Sequence, residues 1–357
     1  MRPTYAEIDL GAIRHNVAAF VSLAAPADVC AVVKADAYGH GDAPVAEAAV
    51  EAGATRLAVA LVEEGVRLRE AGIETEILVL SEPDSASVSE IARWGLTPTV
   101  YSISCIEAIA ERAPGTRVHV KLDTGMHRVG ASPRVLHDLM SSARGVGLDV
   151  DAIWTHFPVA DEDAAFTRHQ IEVFDEAASR YDTPLVHMAN TAGAALFPEA
   201  RRSFARIGLG IYGLHPCAAT RDLVRLRPAM KIVTHVSHVQ RLEQGARPSY
   251  GRARPLSEDS TVVTAPIGYA DGFPRRLSIA GTALIGGNRY PLAGMVTMDQ
   301  IVIDVGDADV QPGDEVVVLG EQGDSAVTAD DWAEILETIS YEVVCEIGPR
   351  VPRRYVA

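Results

Sequence analysis

The chain of 357 residues is long for one hydrophobic core, so two domains are the natural expectation. Its 32 Lys plus Arg against 48 Asp plus Glu give a formal net charge of -16, which disfavours a nucleic-acid backbone or an anionic membrane as partner and favours a small molecule. Cys30, Cys105, Cys217 and Cys345 form no CxxC pair, MRPTYAEIDL lacks a basic-then-apolar targeting segment, and no apolar run reaches membrane-spanning length; a cytoplasmic protein with buried thiols is expected.

From residue 29 to about residue 212, short apolar runs alternate with helix-like segments. The runs that read as strands are Val29 to Val33, Leu57 to Leu61, Ile77 to Leu80, Thr97 to Tyr101, Arg117 to Leu122, Val150 to Thr155, Leu185 to Ala189 and Ala205 to Tyr212. Between them, DAPVAEAAVEAG reads as a helix with Asp42 as N-cap and Gly53 as terminator, and DAAFTRHQIEVFDEAASRY has helical apolar spacing. Eight βα units favour an α/β fold closed as a (β/α)8 TIM-type barrel, with a doubly wound sheet as the alternative. Beyond Pro228 the texture changes to KIVTHVSHVQ, STVVTAPIGYADG, GTALIG, DQIVIDV and EVVVLG, strand-like runs broken by Gly, Asp and Pro turns. The expected division is a barrel over residues 1–227 and a mainly β C-terminal domain over 228–357, with the first few residues as candidates to pair with the latter. TADDWAEILETISYE reads as one helix packed on that β domain.

In a barrel the chemistry belongs at the C-terminal ends of the strands. Lys34 follows the first strand, Asp123 to Arg128 the fifth, His156 the sixth, Asn190 and Thr191 the seventh, and the glycines of RIGLG lie in the eighth. GLGIYG matches GxGxxG literally, yet it sits inside a strand-like run, so the dinucleotide reading is rejected and its glycines are kept as phosphate-facing backbone. Burial of a strand-end lysine disfavours its charged form and frees an amine to attack a carbonyl. Pyridoxal phosphate needs a lysine for its aldehyde and donors for its phosphate, so it explains both ends of such a pocket. No metal site is expected. Taken singly, each residue has an ordinary structural explanation: a strand-end histidine, packing tyrosines, a turn tyrosine, half of an ion pair.

The motifs AVVKADAYGHG, KLDTGMHRVG, WTHFPVADE, HMANTAG, RIGLGIYG, PSYG, IGYADGFPRR, TMDQ and ISYEVVCEIGPRVPR occur in an order that resembles the bacterial alanine racemase family over the whole length. The resemblance implies a pyridoxal phosphate enzyme, a homodimer with active sites shared across the interface, that interconverts L- and D-alanine for peptidoglycan. By similarity, Lys34 binds the cofactor aldehyde and is the base on one face of the substrate's Cα. Tyr250 of the partner subunit would be the base on the other, with His156 and Arg206 relaying charge to it. A phenol of pKa about 10 needs such cationic neighbours to act as a base near neutrality. Arg206 would face the cofactor's ring nitrogen, which favours racemisation over decarboxylation.

The resemblance further implies that Tyr38, Asn190, Thr191, the backbone of Gly208 and Leu209, and Tyr341 bind the cofactor, its phosphate above all. Arg128 would bond the cofactor's phenolic oxygen and, with the backbone N–H of Met298 of the partner subunit, meet the substrate carboxylate, with Lys121 and Asp299 in support; Lys121 stands where some members carry a carbamylated lysine. Three positions depart from the pattern. Thr191 replaces the usual serine, His127 a glycine or asparagine, and Met295 an arginine associated with the approach to the site, which can leave an acid such as Asp161 unpaired. Met295 keeps open a serine or broad-specificity racemase; a non-catalytic pyridoxal phosphate carrier is the third reading.

Overall fold

The computed structural model describes residues 2–357, and the chain separates into two compact units. One contains Gly11–Ala37 and Gly41–Arg227. Its eight strands are β2 (Asp28–Val32), β3 (Arg56–Val59), β4 (Glu76–Val79), β5 (Thr97–Val100), β6 (Arg117–Lys121), β7 (Asp149–Trp154), β8 (Leu185–His187) and β9 (Phe204–Ile207), following a first strand β1 (Tyr5–Asp9) that belongs to the other unit. They form one parallel sheet in the order β8-β7-β6-β5-β4-β3-β2-β9. Backbone bonds from Ser203 N to Val186 O (3.1 Å) and Arg206 N to Ala189 O (3.0 Å) join its two ends, so the sheet closes into the expected barrel.

Strands covered on both faces need continuous apolar runs, which is why Val29, Cys30, Ala31 and Val32 are all buried. The outer helices bury one stripe: helix Leu10–Ala24 turns Ile13, Val17, Phe20 and Ala24 inward at the helical period. Helix Ala164–Ala178 starts where its sequence places an N-cap, Asp163 accepting from Phe166 N at 2.9 Å.

The second unit holds the segment ending at Leu10, Tyr38–His40 and Pro228–Ala357. Here β1 pairs antiparallel with β10 (Met230–His235) and parallel with β18 (Arg353–Val356). The larger sheet runs β14-β13-β16-β10-β1-β18, with β13 at Thr282–Ile285, β14 at Asn288–Pro291 and β16 at Glu315–Gln322, and β17 (Ser325–Val327) pairs with β16. A three-stranded sheet joins β11 (His238–Leu242), β12 (Ser260–Ala265) and β15 (Ile301–Gly306).

Three local expectations are corrected. The eighth barrel strand stops at Ile207 rather than running to Tyr212, because Gly208 leaves the extended region and Leu209–Tyr212 is a turn of 3-10 helix. Gly210 is needed there: a Cβ would lie 2.3 Å from the Phe20 ring. The late helix is two, Ala329–Leu336 and Ser340–Cys345, broken at Glu337, whose left-handed backbone (φ 58) ends the first. Asp42 is the first helical residue rather than the N-cap, a place taken by Gly41 at φ 96. Among the described residues no helix is long and apolar enough to cross a membrane.

Candidate active site

Lys34 stands at the mouth end of β2 and opens a short helical turn, Lys34–Gly39, of unusual hand. Ala35, Asp36, Ala37 and Tyr38 all have φ between 51 and 53, a left-handed run of four non-glycine residues. Each such residue costs roughly 1–2 kcal/mol, so the surroundings must enforce the shape. Buried Glu64 contributes: one carboxylate oxygen accepts from Ala35 N (2.7 Å), the other from Ala60 N (2.7 Å) and Leu61 N (3.1 Å). A strand-end lysine is thus followed by backbone that cannot relax into an ordinary helix.

Inside the barrel, Arg206 on β9 is 3 % exposed and donates through both Nη atoms. Its Nη1 lies 2.7 Å from His187 Nδ1, and its Nη2 reaches Thr155 O (2.8 Å), Met188 O (3.0 Å) and His156 Nδ1 (3.1 Å). Burial lowers its pKa to about 10, which leaves it charged at neutral pH. Arg206 and the buried Lys121 both approach the Trp154 ring, at 4.6 and 4.4 Å from its centroid. Desolvation, then Arg206 and Arg128, lower Lys121 to about 7, with Asp123 opposing and Lys34 adding to the fall. His156 is held well below its usual range by burial and then by Arg206, Lys121, Arg128 and Lys34. Five sequence-predicted residues are thus electrostatically linked, the basic groups Lys34, Lys121, Arg128 and Arg206 acting on one neutral imidazole. Burial pushes Asp123 up, but N–H donors of Gly125 and His127 outweigh it and hold the group below the carboxylate range.

His127 explains its own departure from the motif. Its φ of 53 is a left-handed position that favours glycine or asparagine, and its ring leaves the pocket to meet Asp123 Oδ2 at 3.1 Å, 82 % exposed. Arg128, beside it, is exposed.

Thr191 opens the short helix after β8, and its Oγ1 accepts from Gly208 N at 3.1 Å, so hydroxyl and glycine turn meet as expected. Leu209 follows in the same turn. Asn190 is otherwise occupied: its Oδ1 caps Gly193 N (2.9 Å) and its Nδ2 donates to Phe157 O (3.2 Å), which makes it a support for Thr191. In the second unit the rings of Tyr38 and Tyr341 lie 6.2 Å apart, and burial pushes the Tyr38 phenol up, preserving it as a donor. Gly39 is required there, since a Cβ would sit 2.4 Å from Val344 O.

On that unit, Tyr250 and Met298 are 72 % and 52 % exposed. The Tyr250 loop is fastened to the Met295 segment by Ser249 Oγ donating to Met295 O at 2.6 Å, and Asp299 pairs with Arg350 at 2.7 Å. Met295 is half-buried and Asp161 exposed.

The comparisons agree with this geometry. A family model described as the alanine racemase N-terminal domain matches residues 8–216, and one for the alanine racemase C-terminal domain matches residues 229–355. The chain belongs to the alanine racemase family. It is an isomerase by that membership. Alanine racemase from Carboxydothermus hydrogenoformans is 39% identical over 368 residues, covering 100% of both chains. The structure of alanine racemase from Bacillus anthracis with bound L-Ala-P is 35% identical, with a TM-score of 0.94 over 100% of this chain and 96% of that one. A histidine racemase from Leuconostoc mesenteroides subsp. sake shares 28% identity and a TM-score of 0.91 over 100% and 98%.

Within this alanine racemase scaffold, Glu64, Trp154 and His187 were not singled out from sequence, although WTHF and HMANTAG contain the last two. Their signal is register: Lys121, Trp154 and His187 are neighbours across β6, β7 and β8, and paired residues of parallel strands share a face. Lys121 carries a stability prediction. Below pH 7 its ammonium is charged in both states and the folded state bears the burial penalty; between about 7 and 10.5 the unfolded chain binds the extra proton, so stability gains with rising pH. Lys121→Met should stabilise the apoprotein at pH 6 by roughly 1–4 kcal/mol, a gain that shrinks toward pH 10 in urea melts.

Proposed function

We propose that the chain is a pyridoxal phosphate-dependent racemase that interconverts L- and D-alanine by two bases, Lys34 of one subunit and Tyr250 of the partner in a homodimer, with D-alanine destined for peptidoglycan. The observation that carries this reading is buried Arg206 donating to His156 at 3.1 Å, with the basic groups Lys34, Lys121 and Arg128 also acting on that neutral imidazole. Such a mouth attracts a ligand with a phosphate and a carboxylate, and the donor chemistry fits the cofactor: an amine for its aldehyde, and the Thr191 hydroxyl, Gly208 and Leu209 backbone, Tyr38 and Tyr341 for its phosphate. When bound, the cofactor supplies an electron sink that acidifies the substrate's Cα–H.

The chain's own groups then divide the work. Arg206 remains a charged donor, because its carbonyl and imidazole partners are all acceptors. Facing a ring nitrogen, a group with no proton to give up disfavours ring protonation and limits side reactions. His156 accepts from Arg206 through Nδ1, which leaves its Nε2 as the donor available to the opposing base. Arg128, together with Met298 N–H of the partner, would orient the substrate carboxylate, with Asp299 supporting the Met298 loop. Lys121, near half-neutral at pH 7, can add CO2 and release a proton, turning one cation into an anion between Arg128 and Arg206.

A second reading is a broader amino acid racemase. Met295 replaces a guanidinium with a thioether, and a histidine racemase shares the fold over nearly the whole chain. The test is an absorbance spectrum of protein saturated with pyridoxal phosphate, then deuterium wash-in at Cα with L-alanine, L-serine and L-histidine. A visible band with fastest exchange on alanine supports the first reading; equal or faster exchange on the others supports the second, and a band without exchange points to a carrier.

A further inference from the structure

Beneath Arg206, the barrel interior holds a line of polar groups that the reaction as described does not use. Arginine only donates, so the Nη1 contact at 2.7 Å makes His187 Nδ1 an acceptor and puts the proton of that neutral ring on Nε2. His187 Nε2 lies 3.1 Å from Nδ1 of His119, which must then accept and carry its own proton on Nε2. That nitrogen faces Asp151 Oδ2 at 3.7 Å. The direction of donation is therefore fixed from Arg206 through two imidazoles, and the last N–H, which has no hydrogen-bond partner among the described residues, faces a carboxylate at ion-pair distance.

The line is built to hold. The His187 ring is stacked between Phe204 (centroids 4.2 Å, 24°) and Trp154 (5.3 Å, 11°), so it cannot turn over without breaking both contacts. Asp151 occupies a bulge: Val118 pairs with Val150 and His119 with Ala152, leaving Asp151 without a register partner and free to aim at His119. Burial, then Arg206, His119 and Arg56, hold His187 well below its usual range. The His119 ring, then Arg117 and Arg56, hold Asp151 below the carboxylate range against burial. Glu76, His119 and Asp151 lie close enough to hold a cation, but Arg56 stands 3.1 Å from Glu76 and Arg117 4.0 Å from Asp151, so guanidinium groups already supply the positive charge.

We propose that His119 and Asp151 are positioning residues for racemisation, fixing the His187 tautomer that accepts from Arg206 and so the orientation in which Arg206 donates to His156 and to the cofactor. The proposal rests on the racemase reading above. The reactive mouth is then set from inside the barrel, by a hydrogen-bonded pair of imidazoles whose far N–H faces the Asp151 carboxylate at 3.7 Å.

Two measurements test it. Magic-angle-spinning NMR of histidine-15N-labelled wild-type apoprotein, assigned with single histidine variants, should show His187 neutral and protonated on Nε2 from pH 6 to pH 9, with that N–H bonded to Nδ1 of His119. In kinetics on the loaded enzyme, His119→Asn keeps an acceptor near the position of Nδ1, whereas His119→Leu fills the space without one. The Asn variant should stay within about threefold of wild-type kcat, and the Leu variant should lose about tenfold or more in kcat with KM moved less than about threefold. Protonation of His187 on Nδ1 or on both nitrogens, or a Leu variant as active as the Asn variant, would overturn the relay and leave the racemase reading standing. Wild-type protein that neither binds pyridoxal phosphate nor exchanges Cα–H would instead remove the racemase reading, and this proposal with it.

Discussion

Lys34→Ala is expected to lower racemisation of alanine by about 10,000-fold or more and to abolish the visible absorbance of covalently bound pyridoxal phosphate, with the fold retained. The size follows from the two functions the proposed mechanism gives this side chain, the covalent tether and one of the two proton carriers. Retention of the fold follows from place: Lys34 is half-buried at the strand's end, while Val29 to Val33 before it and Glu64 beside it carry the local packing. Chiral chromatography of the product and an absorbance spectrum check both parts. A variant that keeps its visible band would show that the aldehyde is held elsewhere, Lys121 being the other amine in reach of the same imidazole.

Much of this architecture was legible because barrel strands announce themselves. Runs such as AVV, LVL and VHVK are too apolar for a surface sheet and too short for helices, and the residue after each lands at one mouth. The family's ordered motifs then singled out Lys34, Arg206 and Tyr250 among many lysines, arginines and tyrosines. Less visible was everything that depends on register or hand. Nothing in KADAYG signals four consecutive left-handed residues, because Ala, Asp and Tyr favour the right-handed form, and it takes Glu64, distant in sequence, to help hold them. His119 was not singled out beside Lys121, and only the missing partner of Asp151 in the β6–β7 register turns it into a link. The strand through GLGIYG failed for a similar reason: alternating apolar residues continue, but Gly208 has no Cβ to keep it extended, and the turn that follows brings Gly210 against the Phe20 ring.

Tyr250→Phe should separate the two faces of the reaction. Because the two enantiomers have equal free energy, their kcat/KM values must stay equal whatever the variant does, so racemisation must fall by the same factor in both directions, about 100-fold to 10,000-fold. Exchange of Cα–H with solvent is under no such constraint. With Lys34 intact, D-alanine should still exchange deuterium near the wild-type rate, whereas L-alanine, whose proton Tyr250 takes in the proposed mechanism, should not. Symmetrical loss of exchange would place Tyr250 in substrate binding, and no loss would remove it from the reaction. The ring is exposed, so its hydroxyl can go without a change in melting temperature. Mixing inactive Lys34→Ala and Tyr250→Phe dimers after subunit exchange supplies the final discrimination. If each site takes its lysine from one subunit and its tyrosine from the other, a mixed dimer has one site lacking both groups and one site complete, and random exchange should restore about a quarter of wild-type activity. Sites made within one subunit would leave every mixture inactive.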